Sequence, residues 1–289
     1  LEPPVQLRLT LEELGPTFVK LGQILAGRAD LFGPDWIAEF EKLHSQVPAL
    51  PFESLRAQLR DDLGGEPEAV FARFDAEPLA AASIAQVHRA QLHDGTEVVV
   101  KIRRPGITDT IEADLRLLAR LAALAEEQLP ALKPYRPQQL VRELARSLKR
   151  ELDLASECRT AERIAAHMAA LPWIVVPRVH WDFTTPRVLA MDFVEGVPLE
   201  EMARDDVPQK QRDKLGAALE YLTFRELFEF HVMQTDPNFA NYLFQPDTGR
   251  LVLLQDMSFI ERRSEDTRRY LIGLIAALGL VIALITMVV

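Results

Sequence analysis

The sequence has little cysteine and no surplus of positive charge, and each shortage excludes a class of protein. Cys158 is the single cysteine among 289 residues, so no disulfide can form within the chain, which suits a reducing compartment. The six histidines are scattered and make no metal-binding pattern with it. A net charge of −10 argues against a nucleic-acid partner bound through a general basic surface.

The two ends of the sequence differ in the targeting and membrane signals that they carry. The chain begins at Leu1 rather than methionine and opens without a signal peptide, so we expect a fragment or a processed form. Residues 271–289 are 19 uncharged, mostly apolar residues, enough to cross a hydrocarbon core at ~1.5 Å per residue. The arginines before them would hold that flank on the cytoplasmic side: Arg262, Arg263, Arg268 and Arg269. A transmembrane helix and a core helix cut short both fit this segment.

Apolar periodicity predicts a chain of helices and a smaller number of strands. Helices are expected at residues 11–28, 34–45, 52–63, 107–128, 138–170 and 210–230. Strands are expected in a hairpin turning at Asp94-Gly95, in segments 173–183 and 187–193, and in a second hairpin at 241–255. This order indicates an α+β chain in two lobes, with a ligand between the lobes as the default expectation.

One loop-like segment carries a spacing associated with phosphoryl transfer. In TDPNFAN, residues 235–241, Asp236 and Asn241 have the D-x-x-x-x-N spacing of a protein-kinase catalytic loop. Asp256 follows the strand-like RLVLLQ and could share a metal with them, because Mg²⁺ prefers hard oxygen ligands. Taken alone, each of the three also fits an ordinary turn residue.

A lysine and two carboxylates add the other parts of such a site. On a hairpin strand, Lys101 would point into a cleft while Val100 and Ile102 face the opposite side. Asp153 and Glu157 are four apart on a predicted helix and should share one face, leaving one carboxylate to pair with Lys101. The alternatives are a solvent-facing lysine and a solvated helix face. The order lysine, glutamate, D-x-x-x-x-N and aspartate nevertheless favours phosphoryl transfer.

The glycine-rich loop of ordinary kinases is missing. Where G-x-G-x-x-G would precede Lys101, the sequence reads LAAASIAQVHRA. Alanine lacks the conformational freedom with which glycine places backbone amides against phosphates. We therefore expect a nucleotide to be held differently than in an ordinary kinase.

Four motifs in combination resemble the UbiB family, the atypical kinase-like proteins of the ADCK type. They are KLGQ at 20–23, AAAS at 80–83, ELD at 151–153 and TDPNFAN at 235–241, and the resemblance runs from about residue 11 to residue 270. It implies an α+β, atypical protein-kinase-like two-lobe fold. The implied parts are an N-terminal helical extension (1–68), an N-lobe with inserted helices (69–195), a shortened, partial C-lobe (196–270) and the hydrophobic tail (271–289).

The resemblance also implies roles for residues at the site. Lys101 would hold the nucleotide phosphates with Glu157 as its helix partner, Asp236 would be the catalytic aspartate, and Asn241 and Asp256 would bind the metal. The loop over the nucleotide would consist of Ala80, Ala81, Ala82 and Ser83.

The N-terminal extension is expected to fold over the cleft where a protein substrate would otherwise dock. Lys20 and Gln23 lie on this extension, and Glu151 and Asp153 resemble the carboxylates that meet it. Lys20 reaching either carboxylate would be a charge-assisted latch. Such a latch argues against a protein substrate.

The resemblance implies that the protein binds ATP with Mg²⁺. It would then either hydrolyse the ATP or, as a transferase, pass the phosphoryl group to a small or lipid-linked acceptor. The family sits at membranes and supports ubiquinone (coenzyme Q) biosynthesis. The implied partners are therefore a membrane lipid or quinone precursor and other ubiquinone-biosynthesis proteins. The implied location is the cytoplasmic face of a bacterial inner membrane, with the mitochondrial inner membrane as the alternative.

Two departures from the family pattern keep other functions open. Asp256-Met257-Ser258 stands where the family has D-F-G, and roughly thirty residues follow Asp256, fewer than a complete C-lobe needs. These departures favour a nucleotide-binding pseudokinase scaffold as the alternative. A third hypothesis is a helical membrane-associated protein in which the motifs are relics.

Overall fold

The computed structural model shows a protein of mixed helices and sheets in two compact units. One unit comprises Leu1–Ala165 and Val176–Val194, and the other comprises Ala166–Val175 and Glu195–Val289. The structure describes residues 2–28, 31–43, 48–202, 204, 207–230, 232–234, 242–254 and 259–261.

The helices and strands alternate irregularly along the chain. The helices are α1 (Pro3–Leu14), α2 (Pro16–Ala26), α3 (Pro34–Phe40), α4 (Glu53–Leu63), α5 (Pro67–Val70), α6 (Ile107–Gln128), α7 (Pro137–Leu152), α8 (Leu154–Met168), α9 (Leu199–Met202) and α10 (Gln209–Phe228). The strands are β1 (Arg73–Ala81), β2 (Ala85–Gln91), β3 (Glu97–Arg103), β4 (Ile174–Val175), β5 (Val188–Asp192), β6 (Val197–Pro198), β7 (Val232–Gln234), β8 (Tyr242–Gln245), β9 (Arg250–Leu253) and β10 (Phe259–Glu261). Short 3-10 helices lie at Pro130–Tyr135 and Trp181–Phe183.

The N-terminal helices begin at prolines and pack around a small core of their own. The prediction of one helix over residues 11–28 is wrong, because the chain breaks at Gly15, whose φ of 98° favours glycine, and α2 then begins at Pro16. The next helix ends at Phe40 rather than Ser45 as predicted. The buried members of this core are Leu11, Val19, Phe40 and Leu43.

A four-stranded antiparallel sheet forms the centre of the first unit, in the order β1-β2-β3-β5. The predicted hairpin at Asp94-Gly95 is confirmed as β2 and β3, with Gly95 at a φ of 90° and the Thr96 amide donating to Asp94 Oδ1. The edge strand β1 was not predicted. It contains Pro78, its register with β2 is irregular, and most of it is partly or fully exposed, so it carries no apolar alternation.

The two faces of β3 pack against different partners. Val98, Val100 and Ile102 are fully buried in the core that α4 covers, together with Phe52, Leu55, Leu59, Phe71, Ala90, Leu92 and Val188. Val99, on the other face, packs against Leu154 and Cys158 at the start of α8. Strand alternation therefore directs Lys101 away from Val100 and Ile102, as predicted.

A break between α7 and α8 corrects the prediction of continuous helix over 138–170. Asp153 lies between the two helices with φ −102° and ψ 89°, and its Oδ1 accepts a hydrogen bond from the Ser156 amide at 3.2 Å. It caps α8, so the prediction that Asp153 and Glu157 share one helix face is also wrong. An N-terminal cap stabilises the helix start by satisfying an amide that has no partner within the helix.

The second unit is built on a mixed sheet and a long helix. Its sheet has the order β4-β9-β8-β6, with β4 parallel to β9 and the other pairs antiparallel. The predicted hairpin at 241–255 is observed as β8 and β9, and the predicted helix at 210–230 as α10. A second ladder pairs β7 with β10.

Candidate functional site

Lys101 and Glu157 form an ion pair between β3 and α8. Lys101 Nζ lies 2.9 Å from Glu157 Oε1 and 3.1 Å from Oε2, so the carboxylate accepts through both oxygens. The side chains are only 18% and 14% exposed, which rules out the alternative of a solvent-facing lysine. Drawing two charges out of water is costly unless they are well paired, so the geometry must be held by the elements that carry them.

Packing on both sides of the pair fixes that geometry. Val99 and Leu189 surround Lys101 on the sheet, and Leu154 and Cys158 anchor the first turn of α8 beneath them. Burial, and secondarily the charge of Glu157, raises the pKa of the Cys158 thiol to about 12. The cysteine is therefore an inert part of the packing rather than a nucleophile.

The alanine motif lies at the end of a strand and in a tight turn. Ala80 and Ala81 belong to β1 and pair with Val87 and Gln86 of β2. The Ala82 amide donates to the Ala85 carbonyl at 2.8 Å, which closes the turn around Ser83. The motif thus spans the end of β1 and the start of the β1–β2 connection, and we call Ala82–Ala85 the alanine turn.

Of the residues expected to join the N-terminal extension to the rest of the chain, one pair is in contact and two residues have other partners. Lys20 Nζ lies 2.5 Å from Glu151 Oε1, joining α2 to α7. Gln23 instead donates to the Leu43 carbonyl at 3.1 Å. Asp153 caps α8 and accepts from Arg159 Nη2 at 3.2 Å. Lys20 therefore meets one of the two expected carboxylates.

A partly buried hydrogen bond of α2 was not predicted from the sequence. Thr17 is fully buried, and its hydroxyl donates to Asp114 Oδ2 at 2.7 Å, which ties α2 to α6. Asp114 lies between Ile111 and Leu118 on the apolar side of α6. A polar residue within an apolar stripe was the signal that could have identified it.

Three predicted site residues, Asp236, Asn241 and Asp256, lie outside the described residues. The strands that flank their segments are paired: Gln234 lies opposite Phe259, and Tyr242 lies opposite Leu253. Within the described ranges, no group of three or more histidine, cysteine or acidic side chains could hold a metal ion. The helices described also include none long and apolar enough to cross a bilayer, and the tail at 271–289 is not among them.

Comparisons with a family profile and with individual proteins agree on one family. The profile of the ABC1 atypical kinase-like domain matches residues 42–281. The probable protein kinase UbiB of Pseudomonas aeruginosa is 40% identical over 197 residues, covering 68% of this chain and 37% of the relative. The uncharacterized protein Rv0647c of Mycobacterium tuberculosis is 38% identical over 277 residues, covering 94% of this chain and 56% of the relative.

A solved structure agrees with the sequence comparisons. Rv3197 from Mycobacterium tuberculosis, determined in complex with erythromycin, superposes with a TM-score of 0.65 at 30% identity. The match covers 83% of this chain and 59% of that one. The chain thus spans about a third to three fifths of the length of the relatives it matches.

Proposed function

Because the chain belongs to the ABC1 atypical kinase-like family, the UbiB and ADCK type, and has its kinase-like fold, we propose that it binds ATP with Mg²⁺ and hydrolyses it or transfers its phosphate. The observation that carries the proposal is the ion pair of Lys101 and Glu157. In protein kinases, a strand lysine of this kind pairs with a helix glutamate and contacts the nucleotide phosphates.

The surroundings of the pair fit that role. A lysine on a strand, held by both oxygens of one carboxylate, is restricted to one position. Its partial exposure leaves the ammonium accessible to an anionic ligand. Lys101 would then orient the phosphates, while Glu157 keeps the ammonium in place when no ligand is bound.

The proposed magnesium ligands are Asn241 and Asp256, with Asp236 orienting or deprotonating the nucleophile. Carboxylate and amide oxygens are the ligands that suit Mg²⁺. The strands on either side of the two segments are paired, with Gln234 opposite Phe259 and Tyr242 opposite Leu253, and this pairing supports the proposal. When bound, Mg²⁺ would neutralise charge on the phosphates.

We further propose that the activity serves ubiquinone biosynthesis at a membrane. The name of the Pseudomonas relative, and the apolar sequence at 271–289, support this part of the proposal. The acceptor would be water, a lipid or a quinone precursor, and the site of action the cytoplasmic face of a bacterial inner membrane. The contact of Lys20 with Glu151 would hold the extension in place as a latch and disfavour a protein substrate.

A second candidate function is that of a pseudokinase scaffold that binds nucleotide without turnover. The sequence Asp256-Met257-Ser258 favours it, because the glycine that gives the D-F-G segment its freedom is replaced. In this function ATP binding organises partner proteins, and Asp236 has no essential role.

Thermal unfolding with and without MgATP tests nucleotide binding. A ligand that binds only the folded state raises the free energy of unfolding by mass action, by about 2.7 kcal/mol at a concentration a hundred times Kd, and the unfolding midpoint rises with it. We expect a magnesium-dependent rise that is lost in Asp256→Asn. Asp247→Asn, which removes the same charge in the exposed β8–β9 turn, is the matched control and should keep the rise.

Phosphate release separates the two candidate functions. The enzyme function predicts ATP turnover that Asp236→Asn abolishes while the MgATP-dependent rise in midpoint persists. Binding without turnover in both proteins would support the scaffold. No rise in the wild-type protein at saturating MgATP would contradict both.

A further inference from the structure

The alanine turn is held by a residue that belongs to neither the turn nor the strands it joins. Arg104 lies immediately after β3, three positions beyond Lys101. Its Nε donates to the Ala82 carbonyl at 2.9 Å, and its backbone amide donates to the Ile84 carbonyl at 2.8 Å. The turn is therefore attached at two points to the end of the strand that carries Lys101.

The same guanidinium reaches a third segment. Arg104 Nη2 donates to the Pro48 carbonyl at 2.8 Å, so one planar group bridges the alanine turn and the chain that leaves the N-terminal helices. Two residues further on, the Leu50 amide and carbonyl bind the side-chain amide of Gln86, which is fully buried. Pro48–Leu50 is thus fastened on one side to the turn and on the other to β2.

The packing around the turn agrees with a fixed position. Ile84 packs against the cluster of Ile111, Leu144 and Leu148 between α6 and α7. Burial lowers the pKa of Arg104 from its ordinary value, because the guanidinium is partly withdrawn from water. A planar guanidinium with several donors can hold two carbonyls at once, whereas a lysine offers one compact group.

From these contacts we propose that Arg104 is a positioning residue for nucleotide binding, which holds the alanine turn at a fixed distance from Lys101 and links it to Pro48–Leu50. The proposal rests on the proposed function, since it requires that the turn lies over a nucleotide. A pre-ordered turn binds its ligand more tightly because less conformational freedom is lost on binding. Arg104 would therefore affect nucleotide affinity and leave the chemical step unchanged.

Nucleotide affinity tests the role of Arg104. Arg104→Met keeps the aliphatic stem and removes the donors, and we expect its MgATP Kd, measured by calorimetry on the full chain, to rise about three- to tenfold. KM should rise in parallel while kcat stays within about twofold. Arg104→Lys should restore part of the loss, because it can satisfy one carbonyl. Arg116→Met, at an exposed position of α6, is the matched control and should bind like the wild type.

Hydrogen exchange tests the contact itself without any nucleotide. In Arg104→Met the peptide covering residues 79–86 should exchange faster, because the Ala82 amide is no longer held in a braced turn. The peptide covering 92–97 at the opposite end of the hairpin should not change, since the Gly95 amide bonds to the Leu92 carbonyl independently.

The outcomes separate the inference from the function on which it rests. A wild-type protein that binds no MgATP contradicts the proposed function. A wild-type protein that binds, with Arg104→Met binding equally well, overturns the role of Arg104 alone. Unchanged hydrogen exchange at 79–86 in Arg104→Met overturns the inference that Arg104 holds the alanine turn in place, even if nucleotide affinity falls.

Discussion

Gly22, inside the KLGQ motif, lies at a packing position where an added side chain is predicted to destabilise the fold. It lies on α2 where this helix meets α1 and the end of the α3 segment. A Cβ built on Gly22 would lie 2.2 Å from Leu43 Cδ1 and 2.9 Å from Leu11 Cδ1, both far closer than van der Waals contact. Leu43 and Leu11 are only 3% and 5% exposed, so neither can move into solvent without opening the cluster.

Two opposing terms set the magnitude for Gly22→Ala. Overpacking a well-filled core costs about 1–3 kcal/mol. Replacing glycine by alanine inside a helix returns about 0.5–1 kcal/mol through backbone entropy. The clash meets the ends of leucine side chains rather than backbone, which allows partial relief. We therefore expect Gly22→Ala to lower the free energy of unfolding by roughly 1–2 kcal/mol.

Gly216 in α10 provides the matched control. A Cβ at this exposed helical position would meet no atom within 4 Å, so only the entropy term applies. Gly216→Ala should raise the free energy of unfolding by about 0.5–1 kcal/mol. The same substitution is thus expected to have opposite signs at the two positions.

Urea unfolding, monitored by the fluorescence of Trp36, measures the effect of Gly22→Ala within the N-terminal helices. Trp36 packs against the cluster that contains Leu11 and Leu43. The chain has three tryptophans, so Trp173→Phe and Trp181→Phe make the signal specific to Trp36. For Gly216→Ala the probe is Trp173, whose ring contacts Tyr221 of α10, in a background of Trp36→Phe and Trp181→Phe. A local probe is needed because two units need not unfold in one transition. A Gly22→Ala protein as stable as its parent, or more stable, would refute the packing argument.

Three further predictions concern charged and buried groups. Lys20→Ala should change the unfolding free energy by less than about 1 kcal/mol, because the Lys20–Glu151 pair is partly exposed, and urea titration would detect a larger change. Burial raises the pKa of Glu226 from its ordinary 4.5 to about 7, so the folded state keeps a proton that the unfolded state loses, and stability should fall between pH 4.5 and 7. Glu226→Gln should remove that fall, and identical pH profiles of unfolding for the two proteins would contradict it. Cys158 should react with a thiol reagent only after urea is added, since it is fully buried, whereas rapid labelling of the native protein would refute its placement.

Strong local patterns made part of the fold predictable. The β2–β3 hairpin follows from apolar alternation and from Asp94-Gly95, whose glycine takes the positive φ that the turn requires. Helix α6 matches its predicted bounds because Ile107–Gln128 has a long periodic pattern that starts after Gly106. That Lys101 points to the other face of β3 from Val100 and Ile102 follows from strand alternation alone.

The features that were not predicted depend on contacts between residues distant in sequence, or on helix-breaking and capping residues whose signals were overlooked. The breaks at Gly15 and Asp153 had local signals, a Gly-Pro pair and a capping aspartate, that the longer apolar rhythm obscured. Edge strand β1 has no buried face to mark it. The bond from Thr17 to Asp114 and the bridge from Arg104 to Pro48 join residues that only the tertiary fold brings together.

The measurement that tests the central claim most directly is calorimetric titration of MgATP into the full chain and into Lys101→Met. We predict saturable binding to the wild-type protein and at least about tenfold weaker binding to the variant, because a charged donor to the phosphates is lost. Lys133→Met, at an exposed position of the 3-10 helix Pro130–Tyr135, should bind like the wild type. Equal affinity in Lys101→Met, or no binding to the wild-type protein, would contradict the assignment of the Lys101–Glu157 pair to a nucleotide site.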